Sequence, residues 1–298
     1  MPRIAVFTKN RTNPAYAAAR LGADRTAARF GATTSHYVPD EPDSAPEQIA
    51  LIARAVADKP DAAVFVPAHE TAVNDAILRF DVANIPLFNI ITPTTAGRRV
   101  TFVGSHDRAL AKDIASYLFA RLSLRGTIMI VEGAPSSATS RERLLGFQDA
   151  LAHAPGVRVR CSLQGEYQRH TARDAFLAVK DRWPDADAVL CANDAMALGV
   201  LDALAQERSA LRPLIAGVNA IPEAVAAIAA GTMLATANFN AMAMSEIATE
   251  AAARYLRGET VPAEIILPVQ VVDATNCAAW NLPFEKRPSP NWEAVVTG

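Results

Sequence analysis

Four asparagines, Asn89, Asn193, Asn219 and Asn238, each follow a short apolar run such as Pro86-Leu87-Phe88 or Leu214-Ile215-Ala216. An amide donates and accepts hydrogen bonds without carrying charge, so a set of them at strand ends suits a ligand rich in hydroxyl groups. Any one of them is equally able to form an Asx turn. Two longer polar stretches follow apolar runs in the same way. The first, Thr8-Lys9-Asn10-Arg11-Thr12-Asn13-Pro14-Ala15-Tyr16, leads into a helical pattern, with Asn13 placed either to cap that helix or to face a ligand. The second, residues 132–143, is rich in small hydroxyl residues and ends on Arg143. It lacks the Gly-Lys-Ser/Thr of a phosphate loop, and no Gly-x-Gly-x-x-Gly follows any apolar run. No two of the five histidines stand at metal-ligand spacing, and there is no Gly-x-Ser-x-Gly elbow. His69-Glu70 is the best lone acid–base pair, and surface or cap placement is its favoured reading. The chemistry expected is binding: no enzyme activity, no cofactor and no metal.

The elements that must position these groups alternate. Apolar runs predict strands over 3–7, 33–38, 62–66, 87–89 and 101–103, then over 127–131, 158–162, 188–191, 214–218 and 234–238. Helical patterns at 15–29, 47–58 and 143–151 separate strands of each set, which predicts right-handed βαβ units and parallel sheets. The two sets repeat at one offset. Ile4 lies 124 positions before Ile128, Gly22 before Gly146, and Pro60-Asp61-Ala62 before Pro184-Asp185-Ala186. Two similar α/β lobes are therefore expected, with ligand contacts beyond the carboxyl ends of the strands and hinge closure as the natural motion.

Composition narrows the partners. With 29 Lys and Arg against 31 Asp and Glu, there is no basic excess for nucleic acid. Cys161, Cys191 and Cys277 have neither zinc nor disulfide spacing, and Cys191 reads as a buried small residue. The uncharged stretch 224–245 is long enough to span a membrane, but Gly231, Asn238 and Asn240 interrupt it, and it reads as helix, turn and strand. A strand-like run, Ile4-Ala5-Val6-Phe7, starts almost at once, so either the protein stays in the cytoplasm or a secretory signal has been removed.

Several of these segments resemble the type I periplasmic sugar-binding proteins, the ribose-binding group, whose fold is shared with the effector domains of LacI-type repressors. Asn13-Pro14-Ala15-Tyr16 is similar to that group's Asn-Pro-Phe-Phe, and Arg143-Leu144-Leu145-Gly146-Phe147 to its Arg-x-x-Gly-Phe. Ala192-Asn193-Asp194-Ala195-Met196-Ala197-Leu198-Gly199 resembles its Ala-Asn-Asp-x-Met-Ala-x-Gly. Gly217-Val218-Asn219 with Ile221-Pro222-Glu223-Ala224 resembles its Gly-Phe-Asp…Pro-Glu-Ala. Arg257-Gly258-Glu259 and Leu267-Pro268 are similar to the stretch before its last crossover. The likeness runs from about Ile4 to Val272.

The resemblance implies two similar doubly wound parallel-sheet lobes joined by a three-strand hinge. Residues 1–103 with 240–268 would form the N-terminal lobe, and 104–239 with 269–298 the C-terminal one. It implies a periplasmic receptor that closes on a small sugar or polyol and delivers it to an ABC transporter permease, acting as a monomer, without membrane insertion and without nucleic acid. Asn13, Tyr16, Asn89, Arg143, Tyr167, Asn193, Asn219 and Asn238 are the implied contacts, with Tyr16 and Tyr167 stacking on the sugar. Three departures stand out. Asn219 replaces Asp, exchanging a charged acceptor worth about 1.5–3 kcal/mol for a neutral one of about 1. The usual Asp-Arg or Asn-Arg pair after the fourth strand is missing, where Asn89-Ile90-Ile91-Thr92-Pro93 stands, and Phe239 falls near the family's Gln. Lys9 would favour a carboxylated sugar if it faced the ligand, though a solvated surface position is its favoured reading. The tail 284–292 reads as an extended strap or a partly disordered end. The alternative is a cytoplasmic effector-sensing protein of the repressor kind, lacking the DNA-binding headpiece; an enzyme using His69-Glu70 is the third reading.

Overall fold

The computed structural model describes residues 1–296. The chain starts β1 (Arg3–Phe7), α1 (Pro14–Arg29), β2 (Thr33–Tyr37), α2 (Ala45–Asp58), β3 (Ala62–Phe65), α3 (Asn74–Val82), β4 (Leu87–Ile90), β5 (Arg99–Gly104). It continues α4 (Asp107–Arg121), β6 (Arg125–Glu132), α5 (Ala138–Ala152), β7 (Gly156–Gln164), α6 (Arg169–Leu177), β8 (Ala188–Cys191), α7 (Asp194–Gln206), β9 (Leu214–Val218), α8 (Pro222–Ala229), β10 (Ala235–Ala237). Then come α9 (Ala241–Leu256), β11 (Glu264–Ile266), β12 (Val271–Asp273) and α10 (Trp292–Val296).

Two compact units divide these elements: residues 1–105, 240–268 and 288–296, and residues 106–239 with 269–287. Each holds one six-stranded sheet, in the order β2-β1-β3-β4-β5-β11 and β7-β6-β8-β9-β10-β12. The orders correspond strand for strand, so the two units are built on one plan. All pairings are parallel except β10 with β12, an antiparallel edge that the sequence pattern does not show. Central strands such as β1, β3 and β8 are buried along almost their whole length, which is why they read as unbroken apolar runs. The edge strands β2 and β7 are largely exposed. Missing from the sequence reading are β11 and β12, three residues each and on either side of Pro268, too short to show a period.

Residues 269–298 are expected in the second lobe; the structure returns residues 288–296 to the first. Arg287 still belongs to the second unit, where Nε and Nη2 donate to Leu282 O and Trp280 O at 3.1 and 2.9 Å. Ser289 then donates to Glu246 Oε1 at 2.9 Å, and the Arg254 guanidinium lies 4.8 Å over the Trp292 ring. The chain therefore passes between the units four times where three crossings were expected. The tail is neither extended nor disordered through 296: it carries a 3₁₀ turn at Phe284–Lys286 and then α10. Among the described residues no helix is long and apolar enough to cross a membrane, and the 224–245 stretch is shared among α8, β10 and α9.

The repeated glycines do the same work in each unit. A Cβ at Gly22 on α1 would lie 2.8 Å from Met242 O on α9. One at Gly146 on α5 would lie 2.7 Å from the Ala111 Cβ and 2.9 Å from Lys112 N on α4. Each glycine thus lets the first helix of its set press against the helix that enters its unit at a crossing. Because backbone atoms close the Gly146 site, rotamer changes cannot make room. Gly146→Ala should destabilise by about 1–3 kcal/mol through overpacking, read as a lower denaturant midpoint at unchanged slope. The third match of the repeat is displaced. Ile4 pairs with Ala62, but Ile128 pairs with Ala188, because Pro184 lies inside a 3₁₀ segment, Lys180–Asp185, ahead of β8.

Candidate ligand-binding site

In both sheets the strand order reverses beside the first strand of the set, at β1/β3 and at β6/β8, the switch points where open parallel sheets hold ligands beyond their carboxyl ends. In the first unit the loop after β1 is buried: Thr8, Lys9, Asn10 and Asn13 are all under 8% exposed. Asn10 Nδ2 donates to Asp43 Oδ1 at 3.0 Å, Asn10 Oδ1 accepts from Asn13 N at 2.9 Å, and Arg20 Nη1 donates to Thr8 Oγ1 at 2.8 Å. Burial pushes the Asp43 carboxyl above its usual range, with Lys9 and the Asn10 amide pulling it back. Lys9, 4% exposed, is no solvated surface lysine. Asn13 caps α1, accepting from Ala15 N at 3.0 Å with Pro14 at the first helical position, and Tyr16 stands half-buried two residues after Pro14.

Asn89 is the site residue whose placement differs most from expectation. It is fully buried, and Nδ2 donates to Phe65 O at 3.0 Å and Thr92 O at 2.9 Å while Oδ1 accepts from Thr94 N at 2.9 Å. Both donors are committed to backbone, so Asn89 brackets the turn 91–94 instead of presenting its amide. That turn needs bracing, because Ile91 has a φ of 67°, costly for a β-branched residue. Gln48 does the same for the loop after β3, donating to Val66 O at 2.9 Å and accepting from Ala68 N at 2.7 Å. His69 Nδ1 accepts from Thr71 N and Ala72 N, both at 3.1 Å, which makes it a turn cap.

The second unit is built around Arg143 on α5, 2% exposed. Nε donates to Asp107 Oδ1 at 2.8 Å, Nη1 donates to Ala192 O at 2.6 Å, and the guanidinium lies 4.6 Å over the Phe239 ring and 5.9 Å over the Tyr167 ring. Phe239, which aligns near the family's Gln, backs the arginine. Tyr167 is half-buried with a φ of 61°, and a Cβ at Gly133 would collide with its ring, so that glycine makes space for it. Asn193 is a bracket like Asn89: Oδ1 caps α7 by accepting from Met196 N at 2.9 Å, and Nδ2 donates to Tyr167 O at 3.2 Å.

Asn219 and Asn238 differ. They follow β9 and β10, which pair with Val218 opposite Ala237, so the two asparagines stand side by side. Their backbone N–H groups donate to Ala237 O and Gln270 O at 2.9 and 2.8 Å. Each is less than 9% exposed, and neither side-chain Oδ1 has a hydrogen-bond partner among the described residues. A buried acceptor left unpaired costs about 1–3 kcal/mol. Two of them on neighbouring strand ends, at φ 128° for Asn219, form a place that demands hydrogen-bond donors.

Behind this pair lies Asp194, fully buried, accepting from Thr236 Oγ1 at 2.7 Å and Ile221 N at 3.0 Å. Asp194 stands within the Ala192–Gly199 motif with no role legible from its local sequence, and none is legible for Gln48, Asn10 or Phe239. Their partners are backbone groups and rings from other segments, which no local pattern marks. Among the described residues no cluster of three or more His, Cys, Asp and Glu could hold a metal, and the three cysteines are free thiols.

A family model described as "Periplasmic binding protein domain" matches residues 4–260. The chain belongs to the periplasmic binding protein family. It is similar to the D-ribose/D-allose-binding protein of Pseudomonas aeruginosa, 28% identical over 92% of this chain and 89% of that protein. The ribose import binding protein RbsB of Escherichia coli is 26% identical over 90% of each. Among solved structures, an ABC transporter solute binding protein from Mycobacterium smegmatis with bound glycerol superposes at TM-score 0.85 and 26% identity, over 93% of this chain and 96% of that one. A periplasmic solute binding protein from Actinobacillus succinogenes with bound D-allose shares the fold at TM-score 0.87 and 24% identity, over 93% and 99%.

Proposed function

We propose that this protein is a periplasmic receptor for a small sugar or polyol, without catalysis, that delivers its ligand as a monomer to an ABC importer. The observation that carries the reading is the pair of unpartnered buried acceptors, Asn219 Oδ1 and Asn238 Oδ1, in the unit that also buries the Arg143 fork. Hydroxyl groups supply the donors that those two oxygens lack, and a planar guanidinium can bridge adjacent ring oxygens. Asn13 and Tyr16 contribute from the first unit, and Arg143, Tyr167, Asn219 and Asn238 from the second. Asn89 and Asn193 act in this reading through the turns they brace. A molecule that satisfies these polar groups stabilises the liganded form, and this is where selectivity arises. The relatives whose names specify D-ribose, D-allose or ribose import support the sugar class.

The position after β4 and the Asp-to-Asn exchange at residue 219 argue against carrying ribose over unchanged. A thermal-shift screen of ligand-free protein against pentoses, hexoses, polyols, inositols, amino sugars and sugar acids tests the reading. A ligand at 100 times its Kd adds about 2.7 kcal/mol, a rise of several degrees. Hits confined to one polyhydroxylated class are expected. Silence across the panel would overturn the sugar reading.

A further inference from the structure

We propose that the ionised Asp194 carboxylate is a positioning residue that sets the Asn219 side chain, and thereby makes ligand affinity depend on pH. The inference deepens the reading of Asn219 as a ligand contact and rests on it. Asp194 opens α7 immediately after the cap Asn193, yet its carboxylate does not serve its own helix. Oδ1 accepts from Thr236 Oγ1 on β10, and Oδ2 accepts from Ile221 N, the residue that precedes α8. Ala220 N, donating to Thr236 Oγ1 at 3.3 Å, joins the same network. One carboxylate therefore ties the end of β9 to β10 across the turn 219–221.

That turn is strained. Asn219 has a φ of 128° and Ala220 a φ of 49°, conformations that L-residues adopt only when their surroundings over-determine them. Asn219, which opens this turn, keeps a buried Oδ1 with no hydrogen-bond partner among the described residues. Gly217 shows how closely the carboxylate is fitted, since a Cβ there would collide with Asp194 Oδ1.

Burial pushes the Asp194 carboxyl up to about 6, while the Thr236 hydroxyl, the Ile221 and Ala220 amides and the Arg143 charge pull it down. The other charged or titratable groups that sense it are Arg287 in the tail and Cys191 on β8. Burial pushes the Cys191 thiol up, so it stays neutral, and both arginines keep their charge. Asp194 is thus the group of this set that titrates between pH 5 and 7.5. Its folded-state pKa lies above the usual carboxyl value, so folding disfavours its ionised form, and retaining that form beside the site is a stability cost with a functional return.

The test uses the ligand-free protein and D-allose, a neutral sugar with no titration of its own in this range. In the ligand-free protein, the Asn219 side-chain amide and Ile221 backbone amide resonances should shift with a midpoint near pH 6. Both should be flat in Asp194→Asn, and the midpoint should rise in Thr236→Val, which removes a bond that favours the ionised form. D-allose should bind about tenfold more weakly at pH 5 than at pH 7.5, following the fraction ionised. Asp194→Asn should bind with the weak, pH-independent affinity while melting no lower than the natural protein at pH 7.5, a combination that a merely structural role would not produce. A flat Asn219 resonance, or D-allose affinity that ignores pH while Asn219 titrates, overturns the proposal. If D-allose does not bind at pH 7.5, the sugar reading loses that ligand, and the Asn219 resonance alone decides whether Asp194 positions it.

Discussion

Arg143→Ala should weaken binding of the sugar selected by the screen by about 2–5 kcal/mol, roughly 30- to 5,000-fold, while the protein remains folded. Arg143 joins three separate segments: Asp107 at the first position of α4, Ala192 O after β8, and the Phe239 ring after β10. Truncation removes the donor fork and leaves the Ala192 carbonyl without that hydrogen bond. The Asp107 carboxylate, being at a helix amino terminus, keeps a favourable field and limits the damage to folding. Arg143→Lys separates charge from geometry. It retains the cation but loses the planar fork and most of the stacking on Phe239, so its affinity should fall much closer to that of alanine than to the natural protein. Isothermal titration calorimetry of the three proteins reads the difference. Alanine binding within threefold of the natural protein would remove Arg143 from the site.

The strand segments were legible because each central strand is buried on both faces and so carries an unbroken apolar run; β8 and β9 begin and end where the pattern places them. The same reasoning passes over β11 and β12, whose three residues each are defined by their neighbours in the sheet. The four strand-end asparagines show where residue type stops being informative. Asn193, Asn219 and Asn238 follow their strands while Asn89 lies inside β4, and Asn89 and Asn193 commit their amides to backbone where Asn219 and Asn238 leave their Oδ1 atoms unpaired. The difference lies in the path of the following loop, which decides whether a carbonyl or an N–H comes back within reach. Lys9 makes the complementary point. Its charge favours a solvated reading in sequence, but the 40–43 turn, held through Asp43 N to Lys9 O at 3.0 Å, helps to bury it. The repeat also divides in physical terms. Gly22 and Gly146 recur because a helix contact without room for a side chain recurs, whereas Pro60 and Pro184 enter different local structures, and the pairing register slips by two.

Phe7→Ala should be the most destabilising single truncation in the first unit, by about 3–5 kcal/mol. Phe7 ends β1 and is wholly buried; its ring lies 4.9 Å from Tyr37, 5.2 Å from Phe65 and 5.7 Å from Phe80, with Phe65 and Phe80 themselves 5.9 Å apart. Removing the one ring that touches the other three leaves a cavity at the junction of β1, β2, β3 and α3, together with the loss of three aromatic contacts of about 0.5–1.5 kcal/mol each, part of which is already counted in the truncation cost. At about 2–4 °C per kcal/mol for a unit of this size, the calorimetric transition should fall by roughly 10 °C. Phe7→Leu, which refills most of the volume, should recover more than half of that. The consequence reaches the site, because Thr8, Lys9 and Asn10 continue directly from Phe7 and are aligned by the same strand. Phe7→Ala should therefore also bind sugar more weakly at temperatures well below its transition. A melting temperature for Phe7→Ala within 2 °C of the natural protein, measured on ligand-free samples, would mean that the aromatic cluster closes over the missing ring and that the core of the first unit is not organised around Phe7.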